Sequence, residues 1–147
     1  MRKLICVLGL LTSSGFAIAA PNMQAGQYEV TYKMSTQGGG GIQIPPQTVK
    51  VCLAPSDVAD VRKYAMQGPH GSNGSDCKPV EQNVANDHAT IKMRCDGKQG
   101  VSNITVDVGF KGDTYSGKST IDTTAGPQGR MVIVSEFTGR RVGDCAK

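Results

Sequence analysis

Apolar and polar residues alternate with a period of two along most of the chain. This alternation is typical of β-strands that bury one face against a core. Clusters of Gly, Pro, Asn and Asp separate the alternating stretches and indicate turns. The pattern predicts seven strands, at residues 26–34, 48–53, 80–84, 89–95, 103–110, 114–122 and 131–145.

One segment departs from this period. Between Pro55 and Met66 the apolar residues recur with helical spacing, and a proline and acidic residues occupy the first turn. A single short helix cannot supply the crossovers of a parallel sheet. We therefore expect an all-β fold, an antiparallel meander of about seven strands that curls into a barrel or half-barrel, with one short helix after the second strand.

The N-terminus has the three regions of a secretory signal peptide. Two basic residues precede an apolar run that ends in Ala-Ile-Ala at residues 17–19. The run is short and contains hydroxyl residues, so we interpret it as a signal rather than a membrane anchor and expect no transmembrane segment in the mature chain. Cleavage after Ala19 would make residues 1–19 the signal peptide and residues 20–147 a single disulfide-bonded β domain.

Charge excludes one class of partner. The chain has a formal charge of +4, and two of its 16 basic residues belong to the predicted signal peptide. The other basic residues are scattered and do not alternate with aromatic residues in a stripe. Because nucleic-acid binding needs a concentrated basic surface, we expect no nucleic-acid partner.

Four cysteines remain after the predicted cleavage, because Cys6 leaves with the signal peptide. No two of them have the C-x-x-C spacing of a zinc site, so two disulfides are the simpler interpretation. The two histidines, His70 in a glycine-rich loop and His88 in a turn, form no His or Met cluster suited to copper. We expect no metal and no cofactor.

Strand parity suggests how the cysteines pair. Cys95 shares its face with the apolar residues of its strand, and Cys145 has the parity of the apolar residues of the last strand, so both should point inward. Cys52 has the outward parity. We therefore predict the pairs Cys95–Cys145 and Cys52–Cys77. A β-bulge at Gly139 or Gly143 would reset the parity and change the pairing.

Two short motifs are candidates for chemistry. The segment Gly112–Ser119 fits the phosphate-binding pattern G-x-x-x-x-G-K-[ST], but it lies in an alternating stretch instead of opening a helix, so we expect no nucleotide. Arg140 and Arg141 are weak candidates for an anion site, since a solvated strand end explains them more simply. No G-x-S-x-G elbow is present, and we expect no catalytic residue, with a hydrolase as the remaining alternative.

The surroundings of the cysteines resemble the domain-of-unknown-function family numbered 3617, small exported proteins of Gram-negative bacteria. The most specific motifs are Cys-Leu-x-Pro, beginning at Cys52, and Gly-Arg-Arg-x-Gly-Asp-Cys, ending at Cys145. At Ala54 the family commonly has a helix-capping residue such as Thr, so the cap should be weaker in this chain. The resemblance spans essentially the whole mature chain. It implies a periplasmic location and a four-cysteine β fold, and it implies no activity.

These observations favour a non-enzymatic periplasmic protein that binds a small apolar ligand or a cell-envelope component. Barrels of about eight strands are just wide enough to hold one small ligand. The alternative is a structural or interaction protein of the envelope that uses its surface or a sheet edge.

Overall fold

Seven strands form a single antiparallel sheet. A computed structural model describes residues 21–37, 43–61, 76–97, 100–124 and 129–146. Its elements are β1 (Gly26–Gln37), β2 (Gln43–Leu53), α1 (Pro55–Ala59), β3 (Asp76–Val84), β4 (His88–Gly97), β5 (Gly100–Lys111), β6 (Thr114–Thr123) and β7 (Met131–Gly143). The strand order is β2-β1-β7-β6-β5-β4-β3, and the sheet is not closed. The predicted all-β class, the seven strands and the position of the helix are confirmed.

Neighbouring strands in the sheet are also consecutive in the chain, except that β1 lies beside β7 and β2 is not beside β3. Strands β3 to β7 are consecutive neighbours, and β1 pairs with β2 on one side and with β7 on the other. The chain therefore passes from β2 at one edge of the sheet to β3 at the opposite edge by way of α1. Pro45 and Pro46 lie in the edge strand β2, at a register shift opposite β1, where a residue without an N–H group is tolerated.

Helix α1 covers the first part of the predicted helical segment. It ends at Ala59, because Asp60 leaves the helical conformation with a φ of −142°. The weak cap expected at Ala54 is compensated from the other side, since the Ala54 N–H donates to the Asp57 carboxylate at 2.8 Å. No helix among the described residues is long and apolar enough to cross a membrane. The predicted signal peptide, His70 and the end of the predicted helix at Met66 lie outside these residues.

One face of the sheet, the inner face, carries the core. Two glycines make room on it for aromatic rings, because a Cβ atom at Gly139 would meet the ring of Tyr115 and one at Gly117 would meet the ring of Phe137. The buried apolar residues are Tyr28, Val30, Leu53, Ala89, Ile91, Met93, Cys95, Ile104, Val108 and Phe110. The alternation in the sequence therefore separates a buried face from a polar one, as predicted.

Non-strand segments cover the inner face at the end where β1 begins; we call this the plugged end. Met23 packs against the clusters around Tyr28 and Phe110, and Val58 of α1 packs against the first of them. The segment that carries Met23 is held by backbone bonds, including one in which the Gly112 N–H donates to the Asn22 carbonyl at 2.9 Å. The helix and the residues after the predicted cleavage site thus complete this end of the core.

The disulfide pairing predicted from strand parity is wrong. Cys52 is bonded to Cys145 and Cys77 to Cys95, with Cα–Cα distances of 5.5 and 3.9 Å. The predicted pairs were Cys95–Cys145 and Cys52–Cys77. The faces assigned to Cys95 and Cys52 are correct, since the first is buried and the second is exposed. Cys77 lies directly opposite Cys95 in the β3–β4 ladder.

A β-bulge in the last strand explains the error. The register between β1 and β7 shifts by one residue at Val142, so that Gly143 lies opposite Gln27. Gln27 faces outward and is also the β1 partner of Cys52. An extra residue moves everything after it to the other face, so Cys145 meets Cys52 instead of pointing into the core. Gly143 has a φ of 154°, a conformation that favours glycine.

Candidate functional site

Part of the inner face is not fully covered. Toward the end of the sheet opposite the plugged end, the large apolar side chains that point inward from β1, β6 and β7 are only partly buried. We call these residues the half-buried patch; they are Tyr32, Met34, Ile121, Met131 and Ile133. Large apolar side chains that keep exposed surface next to a core are a candidate ligand-binding surface.

A buried hydroxyl lies beside this patch. Ser119 of β6 faces inward with 5% of its surface exposed, and its Oγ has no hydrogen-bond partner among the described residues. Its neighbour across the β6–β7 ladder is Ser135, which is buried to a similar extent. A buried polar group without a partner costs about 1–3 kcal/mol, so this hydroxyl is a site where a hydrogen-bonding ligand would gain affinity.

Strand pairing places these two small side chains in one row of the inner face. Met34, Ser135, Ser119 and Val106 occupy one row across β1, β7, β6 and β5. In the two adjacent rows toward the plugged end, aromatic rings cover the glycines, whereas no aromatic residue occupies the serine row. Two small, buried polar side chains therefore lie side by side among apolar neighbours.

The half-buried patch has few charged groups near it. Desolvation by burial raises the pKa of the Tyr32 phenol above its usual value. Among the inward positions of the described strands, the one charged side chain is Arg141, which lies at the plugged end. An ionised group bound at the patch would lack a counter-charge from these strands, so the patch suits an uncharged ligand.

The two arginines predicted as weak anion-site candidates are not brought together. Arg140 faces outward, with Nη2 3.7 Å from a carboxylate oxygen of Glu29. Arg141 faces inward, where Nε donates to the Ala25 carbonyl at 2.9 Å and Nη2 pairs with Asp144. Adjacent residues of a strand point to opposite faces, so the pair cannot clamp one anion. Arg141 instead anchors the segment that precedes β1.

The other histidine, His88, contacts groups that occur in catalytic sites, but in a different arrangement. Its Nε2 lies 3.2 Å from both the Asp107 carboxylate and the Thr90 hydroxyl. In a charge-relay triad the acid and the nucleophile occupy opposite ring nitrogens, whereas here both contact the same one. All three side chains are on the outer face, and we interpret them as surface hydrogen bonding.

The phosphate-loop pattern lies in a strand, as predicted. Lys118 and Ser119 belong to β6 and point to opposite faces, the lysine exposed and the serine buried. Among the described residues no group of three or more His, Cys, Asp or Glu side chains could hold a metal ion. The sequence places Ser119 on the same strand face as Tyr115, Gly117 and Ile121, but we did not predict it as a site residue. The informative signal was a serine at an inward position of an alternating strand.

Comparison with known protein families identifies a match over most of the chain. The sequence model of the family described as "Protein of unknown function (DUF3617)" matches residues 23–145. No curated protein and no solved structure matches the chain.

Proposed function

For this chain, which belongs to the DUF3617 family of proteins of unknown function, we propose a binding function without catalysis. The half-buried patch binds a small, mainly apolar molecule that carries one uncharged polar group. The observation that supports this proposal is the Ser119 hydroxyl, buried next to the patch without a partner among the described residues.

The chemistry of the ligand follows from the surface. Partly exposed apolar side chains favour a hydrocarbon chain or ring, because each buried CH₂ group contributes about 0.8 kcal/mol. The Ser119 hydroxyl can both donate and accept, so it suits an alcohol, ester or amide. A free carboxylate would have to be desolvated without a facing cation, which opposes its binding. Long-chain alcohols and esters are therefore the expected class.

Binding of 1-decanol and of decanoate to the mature protein tests this selectivity. We expect 1-decanol to compete with a fluorescent apolar probe and decanoate to compete at least about tenfold more weakly at neutral pH, because its charge must be desolvated. Equal competition by the two molecules would contradict the proposed role of an uncharged polar group. Absence of probe binding would contradict the proposal as a whole.

Adjacent residues of β7 supply a matched pair of variants. Ile133 points inward in the half-buried patch and Val134 points outward, and both are partly buried. We expect Ile133→Asn to abolish probe binding and Val134→Asn to leave it within about twofold of wild type, since only the first places a polar group in the apolar site. Circular dichroism of both variants verifies that they remain folded.

We also propose that the protein is exported to the periplasm with cleavage after Ala19. Two disulfides support an oxidising compartment. Pro21, the second residue after the predicted site, is buried, and the Asn22 backbone is hydrogen-bonded to Asn86 and Gly112. Intact-mass analysis of the periplasmic fraction should show a chain that begins at Ala20. Recovery of the full-length chain from the cytoplasm would contradict export.

A further inference from the structure

A groove lies on the outer face of the sheet, away from the half-buried patch. It is an open groove of about 960 Å³ over β2, β1, β7 and β6. Its volume is within the range of small-molecule sites, about 300–1,000 Å³. This groove is on the opposite face from the serine row, so it is a separate surface.

Hydroxyl groups form the floor of the groove. Thr48, Thr31, Thr138 and Ser116 are register partners on four neighbouring strands. With a spacing of about 4.8 Å between strands, the row spans about 14 Å. The hydroxyls of Thr31 and Thr48 are 2.9 Å apart and hydrogen-bond to each other. The floor therefore offers a line of groups that can each donate and accept a hydrogen bond.

Charged side chains of both signs border this row. Glu29 and Arg140 are register partners directly beside it, and Lys111 and Asp87 also line the groove. The lining thus contains two acidic and two basic side chains, and Arg140 is 72% exposed. Equal numbers of opposite charges give no net attraction for a small anion or cation. They provide strong acceptors and strong donors for hydroxyl groups of a neutral ligand.

We propose that this groove binds an uncharged, polyhydroxylated ligand, a short segment of a neutral oligosaccharide. Such a ligand presents a series of hydroxyls, each of which needs a donor or an acceptor when it leaves water. The carboxylate of Glu29 accepts, the guanidinium of Arg140 donates, and the threonine row does both. An apolar ligand would leave these polar groups unpaired, and an ion would face as much repulsion as attraction.

Amide chemical-shift mapping of the mature protein tests the proposal. The probes are maltohexaose, cellohexaose and chitohexaose, with an anionic galacturonate hexamer for comparison. We expect at least one neutral hexasaccharide to shift the amides of Thr31, Thr138 and Ser116. Glu29→Gln should weaken binding about tenfold, because a neutral amide oxygen replaces the stronger, charged acceptor. Thr138→Val should weaken it several-fold for loss of one hydroxyl.

Thr105→Val is the matched control. Thr105 lies on the outer face of β5, opposite Lys92 and Thr120, and does not line the groove. This variant should bind the hexasaccharide as the wild type does, and all three variants should bind 1-decanol unchanged. Shifts confined to the inner face, binding of the anionic hexamer alone, or no shift with any neutral hexamer would each overturn the proposal.

Discussion

Tyr28 and Tyr32 lie on the same strand and the same face, four residues apart, yet their surroundings differ. Tyr28 is fully buried, and its hydroxyl donates to the Gln24 carbonyl at 2.8 Å. Tyr32 remains partly exposed in the half-buried patch. The alternation in the sequence is the same for both. The difference at Tyr28 is local cover, because Met23 and Val58, from the segments at the plugged end, pack against the cluster that contains it.

Removal of the two disulfides should give the largest difference in stability between the plugged end and the opposite part of the sheet. Cys52–Cys145 ties the plugged end together across 93 residues of sequence, whereas Cys77–Cys95 joins an edge strand across 18. Loop-closure entropy alone assigns about 4.6 kcal/mol to the longer loop and about 3.2 kcal/mol to the shorter one. We expect the Cys52→Ala/Cys145→Ala variant to lose more stability in urea unfolding than Cys77→Ala/Cys95→Ala. The reverse order would show that the edge strand, not the plugged end, limits unfolding.

Truncation of the two tyrosines should give the next largest difference in stability between the core and the half-buried patch. We expect Tyr28→Ala to lower the free energy of unfolding by about 4 kcal/mol, because it empties a fully buried site. Tyr32→Ala should cost about 1.5 kcal/mol, since only part of its surface is buried. Urea unfolding monitored by circular dichroism measures both. Equal losses would show that Tyr32 is as much a core residue as Tyr28.

Removal of the tyrosine hydroxyls alone compares the same two positions by their hydrogen bonds. Tyr28→Phe should cost about 1 kcal/mol at neutral pH, because a hydrogen bond is lost, whereas Tyr32→Phe should have a smaller effect.

Alkaline pH adds a second test of the tyrosines. Desolvation raises the pKa of both phenols in the folded protein, with the charge of Asp113 adding to the effect at Tyr28. A raised pKa means that folding favours the neutral phenol. This stabilisation is complete below the unfolded pKa of 10.0 and is lost as pH rises through the folded value. Unfolding midpoints from about pH 9 to about pH 11 should therefore fall less steeply in the two Phe variants than in wild type. Parallel pH profiles would contradict this assignment.

The fold was predictable because the alternation of apolar and polar residues within each strand indicates which side is buried. Residues 89–95 and 103–110 alternate without interruption, and both are strands with the predicted side buried. The pairing of Cys145 was not predictable in this way, because one extra residue at Val142 reverses the face of everything after it. The position of a bulge depends on how β7 pairs with β1. The alternation of residues within β7 carries no information about that pairing.

The candidate site was harder to predict from the sequence for a similar reason. Ser119 reads as an inward serine in β6, but its significance comes from Ser135, which only strand pairing places beside it. The partial exposure of Ile133 likewise depends on which segments cover the inner face. The choice between core and site is therefore a tertiary property, whereas the choice between inner and outer face is local.

Methyl NMR of the isoleucines, with 1-decanol as ligand, tests the central claim most directly. Ile121 and Ile133 belong to the half-buried patch, whereas Ile91 and Ile104 are buried in the core. We predict saturable shifts of the Ile121 and Ile133 methyl signals, small changes at the core pair, and weaker binding in Ser119→Ala. Shifts of the core pair alone, or no shift at any of the four, would contradict a ligand site at the patch.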